Sequence, residues 1–535
     1  MDNIRILDCS LRDGGYVNDW NFGHNVLVNI FQNVVSAGID YIEVGFLDSR
    51  RPCDINRSIG PNTECFNQTY RNLDKKNTVV VGMIDYGTCP IENLSPKKDS
   101  FLDGIRVIFK KHLKEKALAF CAEVKQLGYK VFAQAVSITS YDDTELLDLI
   151  RLANEVEPYA LSIVDTYGLL HKNQLFHYYE MMDRNLLPGI GIGYHAHNNF
   201  QLGYANCIEL MNHHHNNPRI LICDGSVFGM GKGAGNAPTE LLAMYMNQNF
   251  GASYDISHLL EAIDTSVLDI YRKSPWGYQM KFFIAASNDC HPNYVSYLLD
   301  KRSLSVKAIN EILSQLKGEK KLLYDKDYIE TLYLDYQKEK CDDERSYAAL
   351  SNILREKKVL LIGPGKSVSE HSDAIDRFIR ENNPAVISVN YIPEQVRPDF
   401  IFLTNHKRYI GQLSNLLNGE IQTIATSNLT KTSGDFDFRL DFESLLIDGH
   451  EFKDNSFLMC IRALHRAGIS PVFVAGFDGY SEKGDSFLYS QMEYEFLKSK
   501  GQQINSDVRS FFGSHPEIDV KSLTPNLYGI PTDCI

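Results

Sequence analysis

Short runs of β-branched and other apolar residues recur along the first half of the chain at intervals that leave room for one helix each. They are Ile4 to Asp8, Tyr41 to Phe46, Thr78 to Ile84, Gly104 to Phe109, Lys130 to Val136, Ala160 to Asp165, Gly191 to His195 and Ile220 to Cys223. Helical spacing of apolar residues fills the gaps, as in Val26 to Ala37, Lys114 to Leu127, Asp143 to Glu155 and Leu202 to Asn212. Eight strand-then-helix units predict an α/β fold, a (β/α)8 TIM barrel of parallel strands ringed by helices. Gly38 and Gly128 each follow a predicted helix, where a glycine terminates the last turn without steric cost. An open doubly wound sheet would show the same periodicity, and the motifs below speak against it.

From about Ser303 to Lys358 the pattern becomes charge-rich and helical, with Lys-Gly-Glu-Lys-Lys at 317 to 321. A second strand-and-helix pattern then begins with Val359 to Ile362, the turn Gly363-Pro364-Gly365-Lys366-Ser367 and a helix near Asp373 to Arg380. Further strands are predicted at Ala385 to Val389, Phe400 to Leu403, Gln422 to Ala425 and Val472 to Ala475. The expected organisation is a barrel over residues 1–300, a helical connector over 301–357 and a smaller Rossmann-like α/β domain over 358–535. With 535 residues the chain exceeds what one core normally holds.

Composition narrows the function class. A hydrophobic share of 44% and a charged share of 23% are those of folded globular proteins. The formal net charge of −14 disfavours nucleic acid or an anionic membrane as partner, because phosphate backbones are bound by net basic surfaces. Small molecules are the expected ligands. The start lacks the basic and apolar segments of a secretory signal and no apolar run is long enough to span a bilayer, so a cytoplasmic location is expected. Eleven scattered cysteines without CxxC pairs read as reduced thiols, most of them in the core.

Two segments carry candidate chemistry in the barrel. Asp13 lies just past the first predicted strand and His195-Ala196-His197 closes the seventh, so all three residues fall at carboxyl ends of strands, the face on which barrel active sites are built. In an extended chain, residues two apart point to the same side, which lets both imidazoles meet one ion. One carboxylate and two imidazoles leave about three octahedral positions for a chelating substrate and water. His213-His214-His215 has similar composition but ends a predicted helix, and it reads as a solvated surface run.

Five motifs in this half resemble the metal-dependent barrel lyases and Claisen-type synthases, a group that includes hydroxymethylglutaryl-CoA lyase, isopropylmalate synthase and 4-hydroxy-2-oxovalerate aldolase. They are Leu11-Arg12-Asp13-Gly14, Ile42-Glu43-Val44-Gly45, Asp165-Thr166-Tyr167-Gly168, His195-Ala196-His197-Asn198 and Gly229-Met230-Gly231-Lys232-Gly233-Ala234-Gly235-Asn236. The last most resembles the glycine-rich loop of the 4-hydroxy-2-oxovalerate aldolases and lacks the cysteine found there in hydroxymethylglutaryl-CoA lyase. The resemblance implies a divalent ion on Asp13, His195 and His197, with Mn2+ or Mg2+ expected and Co2+ or Zn2+ as alternatives. It implies a 2-oxo acid such as pyruvate chelated to that ion and an enolate stabilised by it. Arg12, Tyr16 and Glu43 are the implied catalytic residues, Arg12 as a cation beside the developing oxyanion or as an ion-pair partner of Glu43. Asp165, Asn198, Gly231, Gly233, Asn236 and Tyr278 are implied on the substrate side, with Asn199 supporting the histidines. One departure stands out. Where these aldolases place a histidine as general base, this chain has Tyr16, a poorer base at neutral pH by about three pK units. His24 and Tyr278 are the other candidates.

The second domain carries a weaker pattern. Its glycine turn ends like a P-loop, but the first glycine of that motif falls on Leu360. Gly363, Gly365, Lys366, Ser367 and Asn390 are candidates for a phosphate or nucleotide. The turn, Ser388 to Tyr391, Pro398 to Phe402 and Ala475 to Gly479 loosely resemble bacterial sialyltransferase-like domains, which implies a nucleotide-sugar partner. The leading expectation is an aldolase joining or splitting a 2-oxo acid and an aldehyde, in surface-glycan or sugar metabolism. The alternatives are a Claisen-type acyl-CoA enzyme and a C-terminal glycosyltransferase activity with the barrel as scaffold. A homodimer is the default assembly.

Overall fold

The computed structural model describes residues 3–321, 324–416, 419–430, 436–481, 487 and 495–532. It divides into two compact units, Met1–Pro292 and Asn293–Ile535. The helical segment expected as a connector falls within the second unit.

In the first unit all eight predicted strands form. β1 (Ile4–Asp8), β2 (Tyr41–Leu47), β3 (Val79–Asp85), β4 (Gly104–Phe109), β5 (Lys130–Ala135), β6 (Ala160–Asp165), β7 (Gly191–Ala196) and β8 (Leu221–Gly225) pair in parallel in chain order. β8 pairs with β1 from Ile4↔Leu221 to Asp8↔Gly225, and β1 pairs with β2 at Leu7↔Tyr41, which closes the barrel. A two-residue strand, Ile59–Gly60, is added beside β2. Every residue of β2, β6, β7 and β8 is buried, as befits strands covered on both faces.

Inside the barrel the period of two sorts residues into layers. Leu7, Tyr41, Val81, Phe132, Ala160 and Ile222 form an apolar cluster. Two residues further along their strands stand Glu43, Gln134, Ser162 and Asp224, all buried. The lumen therefore changes from apolar to polar toward the carboxyl ends of the strands, where the candidate site lies. Outside, the helices bury apolar stripes such as Leu27, Ile30, Phe31 and Val34 against the sheet.

The second unit holds a parallel sheet of β9 (Val359–Ile362), β10 (Ala385–Val389), β11 (Phe400–Leu403), β12 (Gln422–Thr426), β13 (Phe438–Leu440), β14 (Val472–Ala475) and β15 (Val520–Ser522). Their order is β13-β12-β11-β10-β9-β14-β15, so the winding reverses between β9 and β14. Among the described residues no helix is long and apolar enough to cross a membrane.

Two sequence expectations are corrected here. Cys53 and Cys65, with Cα atoms 5.6 Å apart, are joined by a disulfide, so the thiols are not all reduced. The pair is made by the chain turning back at the helix Thr63–Tyr70, which their spacing did not reveal. His214 is not solvated. It is buried, with Nδ1 2.7 Å from the Tyr179 hydroxyl and Nε2 2.8 Å from the Arg219 carbonyl, and its neighbour His213 stacks on Phe176.

Candidate metal centre in the barrel

Asp13, His195 and His197 are brought together as the strand-end reading expects. Each offers one ligand atom, those atoms lie within 4.8 Å of one another, and all three residues are buried. His195 sits within β7, while Asp13 follows β1 on a turn held by the amide of Asp13 donating to the Cys9 carbonyl at 2.8 Å.

Each ring is held from behind. Nδ1 of His195 is 2.9 Å from an Asp224 carboxylate oxygen, and Nδ1 of His197 is 3.2 Å from the Lys232 carbonyl. Both partners accept, so each Nδ1 donates and each Nε2 is left for an ion. Asp13 accepts from the Lys232 amide at 3.0 Å and from Asn236 Nδ2 at 2.9 Å. Burial alone would raise its pKa. The Arg12 guanidinium, then His197 and His195, then the Asn236 hydrogen bond hold it well below the usual carboxylate range. Burial, with Lys232, Arg12 and His195 adding to it and Asp13 opposing, pushes the His197 pKa down to about 3, so the ring is neutral and able to ligate at physiological pH.

The site is unusually rich in charge. Arg12 donates through Nε to Glu43 Oε2 at 2.7 Å and through a terminal nitrogen to Asp13. The Arg12–Glu43 ion pair weighed from sequence is thus present, and it sits within the ligand set. Glu43 Oε1 and Asn236 Oδ1 are buried without a hydrogen-bond partner. Unpaired buried oxygens beside a carboxylate–imidazole–imidazole set fit a hydrated divalent cation, which would be held by Asp13, His195 and His197.

The loops around the trio explain the glycines. A Cβ at Gly231 would stand 2.6 Å from an Asp13 carboxylate oxygen and 2.4 Å from Asn236 Nδ2, and one at Gly168 would meet the His197 carbonyl at 2.4 Å. Gly233 leaves room for Asn199, whose Oδ1 accepts from the Ala234 amide and whose Nδ2 donates to the Tyr167 carbonyl. Asn198 Oδ1 accepts from the amide of Gly203, the first residue of the next helix, at 3.0 Å. Both oxygens of Asp165 accept from backbone amides, of Leu169 and Leu170, so its contact is with its own loop.

Tyr16 lies at the mouth, edge-on to Trp20 and Phe46, with Lys232 Nζ 5.3 Å from its ring centre. Although the residue is 42% exposed at the mouth, local desolvation raises its phenol to about 12, Asp13, Asp85 and Glu43 adding to the effect and Arg12 opposing it. Tyr278 is largely exposed against Phe283, which faces Phe200, one residue past Asn199. His24 opens the first helix, its amide donating to Asn56 Oδ1.

Sequence reasoning missed Arg106, Asp224 and the side chain of Lys232 as parts of this site. A charged residue inside the otherwise apolar run Gly104 to Phe109 was the available signal for the first.

In the second unit, Gly363 and Gly476 press together, the Gly365 amide donating to the Gly476 carbonyl at 2.8 Å. The Ser367 amide and hydroxyl both donate to the Asp478 carboxylate. Asn390, in the left-handed region at φ 59°, is fixed by Thr404 and Ser456. Gly365 and Asn390 line a cavity of about 240 Å³ at the carboxyl ends of β9, β10 and β14, together with Lys301, Arg408, Phe457 and Tyr528. Lys366 and Ser367 are not among the residues lining it.

The first unit is therefore a (β/α)8 barrel with a buried carboxylate–imidazole–imidazole set on its catalytic face. Residues 107–265 of it match the family model described as HMGL-like. The chain is 24% identical over 276 residues to an oxaloacetate decarboxylase of Mycobacterium tuberculosis, spanning 51% of this chain and 80% of that protein. It is 23% identical over 277 residues to 4-hydroxy-2-oxovalerate aldolase 6 of Rhodococcus jostii, spanning 51% and 76%. Among solved structures it is similar to the HMG-CoA lyase of Bacillus subtilis, at 16% identity and a TM-score of 0.43, over 53% of this chain and 97% of that one. The match to that family model and the similarity to an aldolase and a decarboxylase indicate a carbon–carbon lyase.

Proposed function

We propose that the barrel is a divalent-metal-dependent aldolase that makes or cleaves a C–C bond between the enolate of a 2-oxo acid of the pyruvate type and an aldehyde. The observation that carries this reading is the buried Asp13–His195–His197 set with Arg12 beside it. Cleavage of 4-hydroxy-2-oxovalerate and decarboxylation of oxaloacetate, the reactions named for the two relatives, both release the enolate of pyruvate. That shared product favours pyruvate chemistry over an acyl-CoA reaction.

When bound, the ion supplies Lewis-acid stabilisation of negative charge on the 2-oxo oxygen. Arg12 adds a fixed cation whose position is set by Glu43 and Asp13. In the cleavage direction the acceptor-side hydroxyl loses its proton, the C–C bond breaks to give the aldehyde, and the enolate takes a proton at carbon to give pyruvate. With its phenol raised to about 12, Tyr16 is protonated at neutral pH, so it acts as a hydrogen-bond donor and not as the base. Trp20 and Phe46 pack edge-on beside it at the mouth.

The cavity of the second unit favours a nucleotide-linked or phosphorylated ligand there. It lies where the strand order reverses, has Arg408 in its lining beside Lys301, which pairs with Glu330, and has aromatic side chains for a planar ring.

The test is hydrogen–deuterium exchange at the pyruvate methyl group in D2O, followed by NMR, with Mn2+ removed and restored and with His195→Ala. Metal-dependent exchange that disappears in the variant is the expected result. Absence of exchange with every divalent metal would overturn the reading and turn attention to acyl-CoA substrates.

A further inference from the structure

We propose that Asp224, locked by Arg106, is the positioning residue that makes His195 a metal ligand, and that Arg106 ties the two ends of the ligand set into one rigid unit. The inference rests on the reading that the barrel binds a divalent cation.

Arg106 projects from the middle of β4 into the polar layer of the lumen and is 1% exposed. One terminal nitrogen donates to Glu43 Oε2 at 3.0 Å. The other donates to Asp224 Oδ2 and to Gln134 Oε1, the latter at 3.0 Å. The oxygen of Asp224 that takes Arg106 is the one that takes His195 Nδ1. On the other side, Glu43 Oε2 is shared by Arg106 and Arg12, and Arg12 reaches Asp13. Two routes thus run from one guanidinium to two ligands, His195 through Asp224 and Asp13 through Glu43 and Arg12.

Packing does not account for this arrangement. Barrel interiors are ordinarily filled by branched apolar side chains, and burying paired charges carries a desolvation penalty that an apolar substitute avoids. The chain keeps two arginines and three carboxylates here, and both routes end on ligand residues.

The two imidazoles are supported unequally. His197 donates to a neutral carbonyl, that of Lys232, whereas His195 donates to a carboxylate. A carboxylate behind the ring fixes the Nδ1–H tautomer and makes Nε2 a stronger donor to an ion. His195 is therefore the anchoring imidazole of the pair.

The experiment uses the full chain freed of metal, with Mn2+ binding followed by the electron paramagnetic resonance signal of the free ion, in wild type, Asp224→Asn and His195→Ala. We expect Asp224→Asn to weaken Mn2+ binding about 10- to 100-fold, short of the loss in His195→Ala. Wild type that does not bind Mn2+ would remove the metal reading and this proposal together, whereas wild type and Asp224→Asn binding equally would remove this proposal alone. A second measurement needs no variant to fold. In metal-free wild type with 15N-labelled histidine, His195 is expected as the Nδ1–H tautomer, and finding it as Nε2–H would overturn the assignment.

Discussion

Both units of this chain end parallel strands in glycine turns and set an aspartate there, yet the two aspartates do opposite things. In the barrel, Asp13 takes hydrogen bonds from Asn236 and an amide, stays well below the usual carboxylate range and still faces two imidazoles. In the second unit, Asp478 takes the amide and hydroxyl of Ser367, and burial raises its pKa against those hydrogen bonds. The first carboxylate is kept charged and faces the two imidazoles of the candidate metal site. The second closes an internal helix start, so the phosphate-binding look of the Gly363 to Ser367 turn is met by the protein's own side chain. A strand-end glycine turn tells where a site can be, and the partner of its nearest carboxylate tells whether the position is open.

Substitution separates the two cases. Asp13→Ala should lower metal-dependent pyruvate exchange at least about 10³-fold, by loss of the charged ligand, without altering ligand binding in the cavity of the second unit; exchange by NMR and nucleotide titration of the same sample check both halves. Tyr16→Phe should cost about 10²-fold in kcat if the phenol donates a proton or hydrogen bond to reacting oxygen, with Mn2+ affinity unchanged. An effect on KM alone would make it a binding wall instead. Asp478→Ala should leave exchange intact and lower the stability of the second unit by about 1–3 kcal/mol, because it strands two donors, and calorimetry reads this as an earlier transition. The smallest effect concerns Glu240, whose carboxyl accepts from the Phe228 amide and is raised by burial from 4.5 to about 7. Its folded pKa lies above the unfolded one, so its stabilising contribution is present below about pH 4.5 and fades as pH rises toward 7. Glu240→Gln should flatten that decline by on the order of 1 kcal/mol, measured as the difference in denaturation midpoint between pH 5 and 8.

The barrel was legible because a buried parallel strand announces itself twice, as an apolar run and by the helix that must follow it. All eight runs formed strands, three with the expected bounds and the others with ends shifted by one or two residues. β13 and β15 escaped notice because each has three residues with a basic side chain, Arg439 or Lys521, at its centre. The candidate ligand trio was legible for a local reason, since His195 and His197 are two apart at a strand end. Arg106 and Asp224 were not, because what defines them is the direction in which they point, and only barrel closure places them across from Glu43 and His195. The Cys53–Cys65 bond and the burial of His214 depend in the same way on tertiary neighbours that spacing does not encode.

Lys232 holds the candidate metal centre through its main chain, its amide on Asp13 and its carbonyl on His197. Those contacts are indifferent to the side chain. Exchange of the side chain at 232 would leave those two hydrogen bonds in place while removing a cation that acts on Asp13 and His197 and stands over Tyr16 at the mouth. One residue thus enters the site twice, its backbone fixing where two side chains stand and its ammonium setting the charge they meet.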